Sequence, residues 1–152
     1  MFEPKPGEPV GVDVEQDEAL WYERQIALLR ARRFEELDVE NLIRELEYLV
    51  SKDRRELGSR LRVLMMHLLK CQYQPQRISR SWLGTIVVQR HGIEDALEDS
   101  PSFGPKLMLI ADKEYPRAVR QAATETRLPP ATFPAANPYT RAQLLDHDYT
   151  GA

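Results

Sequence analysis

From Leu57 through Ile93 the sequence has no aspartate or glutamate, yet Arg60, Arg62, Lys70, Arg77, Arg80 and Arg90 all lie in that window. The whole chain carries a net charge of −3. It therefore has no global attraction for nucleic acid. Cysteine is nearly absent: Cys71 stands alone, which excludes an internal disulfide and makes a reducing compartment the expectation. Long apolar runs are missing too. The longest nearly unbroken one is VLMMHLL at 63–69, far short of the roughly 20 residues that cross a bilayer. The opening MFEPKPGEPVGVDVEQDE is acidic and Pro-rich, without the basic start and apolar run of a secretory signal. A cytoplasmic protein of bacterial type is expected, with no membrane partner. Histidines number three, and there is no Gly-rich phosphate loop, zinc-ligand spacing or Ser-His-Asp order. His91 and Glu94 are three apart and form a pair, but His147 lies far off in the tail. No metal and no cofactor are expected.

What is present is helical periodicity. Residues 1–16 read as a flexible N-terminal arm, and residues 17–152 as one helical-bundle domain. A first helix starts after Asp17, a good N-cap, and runs to about Arg33. Its apolar residues Leu20, Trp21, Tyr22, Ile26, Leu28 and Leu29 form two stripes, which implies neighbours on two sides. Asp38 caps a second helix that runs to about Tyr73. In it Val39, Ile43, Leu46, Val50, Leu57, Leu61, Leu64, Leu68 and Cys71 fall within an arc of about 80°. Gly58 is its weak point. Residues 61–72 are apolar on most sides and belong at the centre of the fold.

Pro75 turns the chain, and a third helix follows from Ser79 to Leu97, with Trp82, Ile86, Ile93 and Leu97 on one face and Gln89 and Arg90 between them. A fourth runs from Pro105 to about Thr126, with Pro116 expected to kink or split it. The Pro-rich stretch 128–139 reads as a packed strap because Phe133 and Tyr139 give it something to bury. Thr140 caps a short terminal helix. The fold class is all-α, a bundle of four main helices with a C-terminal strap.

The segment charges are −6 for residues 1–56, +6 for 57–93 and −3 for 94–152. In helix two, Asp53, Arg60 and His67 recur every seven residues beside the apolar stripe. Such a row fits a polar seam that fixes helix register or a homodimer contact, and each member is expected to meet polar groups of another helix or subunit. Lys70, Arg77, Arg80 and Trp82 make a basic turn. Acids on both flanks should pair with Arg77 or Arg80, with Tyr73 and Trp82 packing around them. Cys71, on the buried stripe near a helix C-terminus, lacks the setting that activates a thiol.

FEELDVENLIRELEYL (34–49), HLLKCQYQPQRISRSW (67–82) and LPPATFPAANPYTRAQLLD (128–146) resemble three successive signatures of the bacterial family catalogued as domain of unknown function 29. The resemblance spans about residues 18–146. It implies a helical fold and no established activity. Relatives often have tryptophan where Cys71 stands, which argues against a required thiol, and usually plain helix where Pro116 stands. Separately, Arg62 and His67 have an Arg-x4-His spacing that resembles the motif of HEPN-type ribonucleases. Positions five apart on one helix point about 140° apart, so the two converge only across a dimer seam or a broken helix. The function expected is binding to a protein partner, including a second copy of the chain. The alternative is an RNA-binding or HEPN-like ribonuclease bundle using Arg62 and His67.

Overall fold

No proline interrupts the chain between Pro9 and Pro75, and in that interval the longest helix forms. The computed structural model describes residues 15–152; the N-terminal arm expected at 1–16 falls almost wholly outside them. The helices are α1 (Glu18–Arg30), α2 (Val39–Tyr73), α3 (Arg80–Asp99), α4 (Leu107–Thr126) and α5 (Arg141–Leu145), joined by short 3-10 turns. The fold is all-α, with no strand among the described residues. None of its helices is long and apolar enough to cross a membrane. Contacts group the chain into two units that divide within α2, between Val50 and Ser51. The helix itself is continuous over 35 residues.

In the first unit, Asp17 accepts the Leu20 N–H at 3.0 Å and starts α1. The helix stops at Arg30, three residues earlier than expected, because Arg32 takes a left-handed φ of 56°. Only one of its two apolar stripes is buried. Trp21 and Leu28 are buried, while Ile26 and Leu29 are nearly half exposed. Asp38 ties the loop together. It accepts from the Trp21 indole at 3.0 Å and the Asn41 amide at 2.8 Å, and its own N–H donates to Gln25 at 2.8 Å. These bonds, that from Asn41 foremost, hold its carboxyl below the usual carboxylate range. The Tyr22 hydroxyl donates to Glu45.

The second unit is built on the latter part of α2. Leu57, Leu61, Leu64, Met65, Leu68, Leu69 and Cys71 are fully buried, so of the span 61–72 expected at the centre, Leu61 and residues 64–71 are buried, while Arg62 and Val63 are partly covered and Gln72 is exposed. Gly58 does not break the helix. A Cβ there would lie 3.3 Å from Glu114 Cγ, so glycine makes room for a side chain of α4. Ser79 caps α3, which buries Ile86, Ile93 and, unexpectedly, Arg90. Pro116 does not split α4. It forgoes one bond to the carbonyl of Asp112, and both residues are exposed. The strap packs as expected: Phe133 meets Tyr73 edge to face at 5.0 Å, and Tyr115 donates to Pro134 O at 2.8 Å. Thr140 and Gln143 form a reciprocal capping box on α5.

Candidate functional site

Three of the six cations of the acid-free window pair with the chain's own acids, two of them with acids of α4 and one with Glu56 at the window's edge. Lys70 is buried. It pairs with Glu125 of α4 and lies 4.2 Å from the Trp82 ring centroid. Arg62 pairs with Glu114 of α4 at 3.3 Å, and Glu114 also takes Arg117 at 3.2 Å. Arg60 pairs with Glu56 at 3.1 Å. The side chains of Arg77 and Arg80 correct the expectation. Both are exposed, with no side-chain hydrogen bond or ion pair among the described residues. The turn is held instead by Lys70 on Trp82 and by buried Gln74, which donates to Thr126 O at 3.1 Å and so caps the end of α4. Two free cations at a turn do not make a phosphate-tracking groove.

The heptad row Asp53, Arg60 and His67 also divides. Asp53 and Arg60 line a groove of about 250 Å³ with Glu56, Gly92, Asp95, Asp99 and Phe103. Among the described residues Arg60 is the member of the row that hydrogen-bonds to another helix, donating to Gln89 Oε1 at 3.5 Å. It lies over Gly92, where a Cβ would be 2.3 Å from its Nη1. Asp53 is exposed and has no hydrogen bond or ion pair among the described residues. His67 is turned inward, its Nδ1 2.9 Å from Val63 O on its own helix. Burial lowers its pKa, with Lys70 adding to the effect. The groove gathers four carboxylates about one guanidinium, without a histidine or thiol in its wall.

The structure does not bring Arg62 and His67 together: one is held by Glu114 and Ser59 and the other is buried against Val63. Cys71 is fully buried, and burial pushes its thiol up. Both changes keep it from the thiolate form that reacts. A thiol reagent will therefore label the native chain roughly a hundredfold more slowly than the denatured chain. Equal rates would place Cys71 at the surface.

The fold makes one constellation that linear spacing hid. His91 and Glu94 share a face of α3, and the tail brings His147 onto it. His147 Nε2 lies 2.6 Å from Glu94 Oε1, and the His91 and His147 rings are 5.0 Å apart. The third group, absent from the linear reading of His91 and Glu94, is the tail histidine.

The model of the family described as Domain of unknown function DUF29 matches residues 14–150. The chain belongs to the DUF29 family. Searches of curated proteins and of solved structures found no match. The match agrees with the three sequence signatures and carries no activity with it.

In this DUF29 chain the residues that sequence reasoning missed are Arg90, Glu114, Glu125 and His147. Arg90 had a readable signal, because it sits four residues after Ile86 and three before Ile93, on the buried face itself. Glu114, Glu125 and His147 had none, since each reaches its partner across more than fifty residues of chain.

Proposed function

We infer that the protein acts by binding, and that the occupant of its main exposed face is a second copy of the same chain. The observation that carries this reading is the state of α2. Every residue from Leu46 to Glu56 is exposed. A helical stretch this short is marginal on its own in water. The apolar stripe nevertheless continues through it in phase: Val39, Ile43, Leu46 and Val50 are each about half exposed or more, and Leu49 lies beside them at 52%. Two copies joined there would remove at most about 1,000 Å² from water in total, the lower end for a specific interface.

Charge supports self-pairing. The stripe is flanked by Glu40 and Glu47 towards the start of α2 and by Lys52 and Arg54 further along. An antiparallel, two-fold pairing sets the acids of one copy against the bases of the other, as flanking charges do in coiled coils. The ribonuclease alternative has no such support, because Arg62 and His67 have separate partners. A single cysteine, with no disulfide to form within the chain, is in keeping with association in a reducing compartment such as the cytoplasm.

Sedimentation of the untagged chain between about 1 and 200 µM tests the reading, since an interface of this size gives affinities in the micromolar range. A concentration-dependent dimer is expected, abolished by Leu46→Glu and by Val50→Glu with helix content and melting temperature retained. A wild-type chain that stays monomeric throughout overturns it.

A further inference from the structure

We propose that His91, Glu94 and His147 form a binding site for a divalent transition metal ion, best suited to Zn²⁺, which staples the C-terminal tail to α3. Two imidazoles and one carboxylate are a ligand set that suits such ions. One ligand atom from each residue lies within 4.8 Å of the others. Around a zinc ion with bonds near 2.1 Å, tetrahedral ligands stand about 3.4 Å apart. The needed closure is within reach of exposed side chains, and one edge, His147 to Glu94, is already shorter than that.

The backbone holds the ligands in place before any metal arrives. His91 and Glu94 are three apart on one helix, a spacing that puts them on the same face. His147 is fixed on both sides. Just before it, buried Arg90 donates to Gln143 O at 2.9 Å and Leu144 O at 3.0 Å, which docks the end of α5 on α3. Just after it, Gly151 takes a φ of +84° and comes so close to α2 that a Cβ would lie 2.6 Å from Leu68 O. Between these anchors Asp146 accepts the Asp148 N–H at 2.9 Å and closes the turn that carries the histidine. The carboxylates of Asp95, Asp146 and Asp148 lie next in sequence to the ligands and favour a cation electrostatically.

Three protein ligands leave a fourth position to water, the open pattern rather than the closed four-ligand one. On binding, the proton that His147 Nε2 now donates to Glu94 leaves that nitrogen, to Nδ1 or to solvent, and zinc takes the freed Nε2 lone pair and an oxygen of Glu94 in place of the hydrogen bond. The tail then depends on a coordinate bond in place of an exposed hydrogen bond.

The composition makes the test clean. The chain has only three histidines and one cysteine, and His67 and Cys71 are buried, so no other imidazole or thiol competes at the surface. The untagged full chain is titrated calorimetrically with Zn²⁺ in a weakly coordinating buffer. Cobalt(II) is added separately for its absorption spectrum. One equivalent is expected, with a tetrahedral-type cobalt spectrum. His91→Ala and His147→Ala should each weaken zinc binding at least tenfold, while circular dichroism stays unchanged because both sites are exposed. Zinc should also slow amide exchange over residues 143–151 in the wild type and not in His91→Ala. Absence of binding, or binding that survives either histidine substitution, overturns the proposal. Neither outcome bears on self-association through α2, which uses other residues.

Discussion

Leu64→Ala will destabilise the protein by roughly 2–5 kcal/mol. Leu64 is fully buried, as are Leu61, Met65, Leu68 and Leu69 around it on α2. Deleting its isobutyl group removes the transfer free energy of the lost methyl and methylene groups and leaves a cavity. The cost depends on how far the walls collapse. Here they are constrained. The helix backbone is pinned on one side by the Lys70–Glu125 and Arg62–Glu114 pairs to α4, and Gly151 presses on the Leu68 carbonyl. Small relaxation puts the loss towards the upper half of the range. Since a domain this size has about 5–15 kcal/mol in all, denaturant titration should show a clear fall in midpoint with an unchanged slope. A loss below about 1 kcal/mol would mean that the centre of α2 tolerates a void, contrary to its burial.

How much of this is legible in the sequence follows from the range of each interaction. The course of α2 was readable because an apolar stripe, an N-cap and the absence of proline are local features that agree with one another. The burial of residues 61–72 was readable because a helix apolar on most sides must be central. The bare face of residues 46–56 was not. Its stripe has the same phase and chemistry as the buried half, and periodicity alone does not say which half finds a neighbour. Lys70 shows a further limit. Its place in a basic turn was visible, but its charge is met by Glu125, fifty-five residues away, whereas the nearer acids expected for Arg77 and Arg80 do not reach them. Long-range ion pairs are set by packing geometry, which no local pattern encodes. His147 is the sharpest case. As a residue of the tail it was separated from His91 and Glu94, and only the docking of α5 reunites them.

That docking rests on Arg90, and Arg90→Met will lower stability by about 2–4 kcal/mol, less than the sum of the bonds it makes. Arg90 is fully buried. Its Nε and Nη2 donate to the carbonyls of Leu144 and Gln143 at the end of α5, where a cation also meets the negative end of the helix. Bonds of this charged kind contribute about 1.5–3 kcal/mol each. Against them stands the cost of burying a guanidinium whose remaining Nη1 is enclosed without a hydrogen-bond partner. That cost appears as a pKa lowered by burial and only partly restored by Asp146, Tyr149 and Glu94. Methionine fills similar volume and removes the desolvation cost, but it leaves the buried Leu144 carbonyl and the part-buried Gln143 carbonyl without their donor. The loss outweighs the relief, because the last carbonyls of a helix lack partners within it and the Leu144 carbonyl is buried. For a chain of this length the loss corresponds to a melting temperature lower by about 5–15 °C. Amide exchange should accelerate first over residues 141–151, since the tail loses its anchor before the core of α2 is affected. Arg90→Lys should fall between, as one ammonium can serve one carbonyl but not hold the planar fork. A methionine variant that melts within a degree or two of wild type, with unchanged exchange in the tail, would show that α5 is docked by Leu144 packing alone.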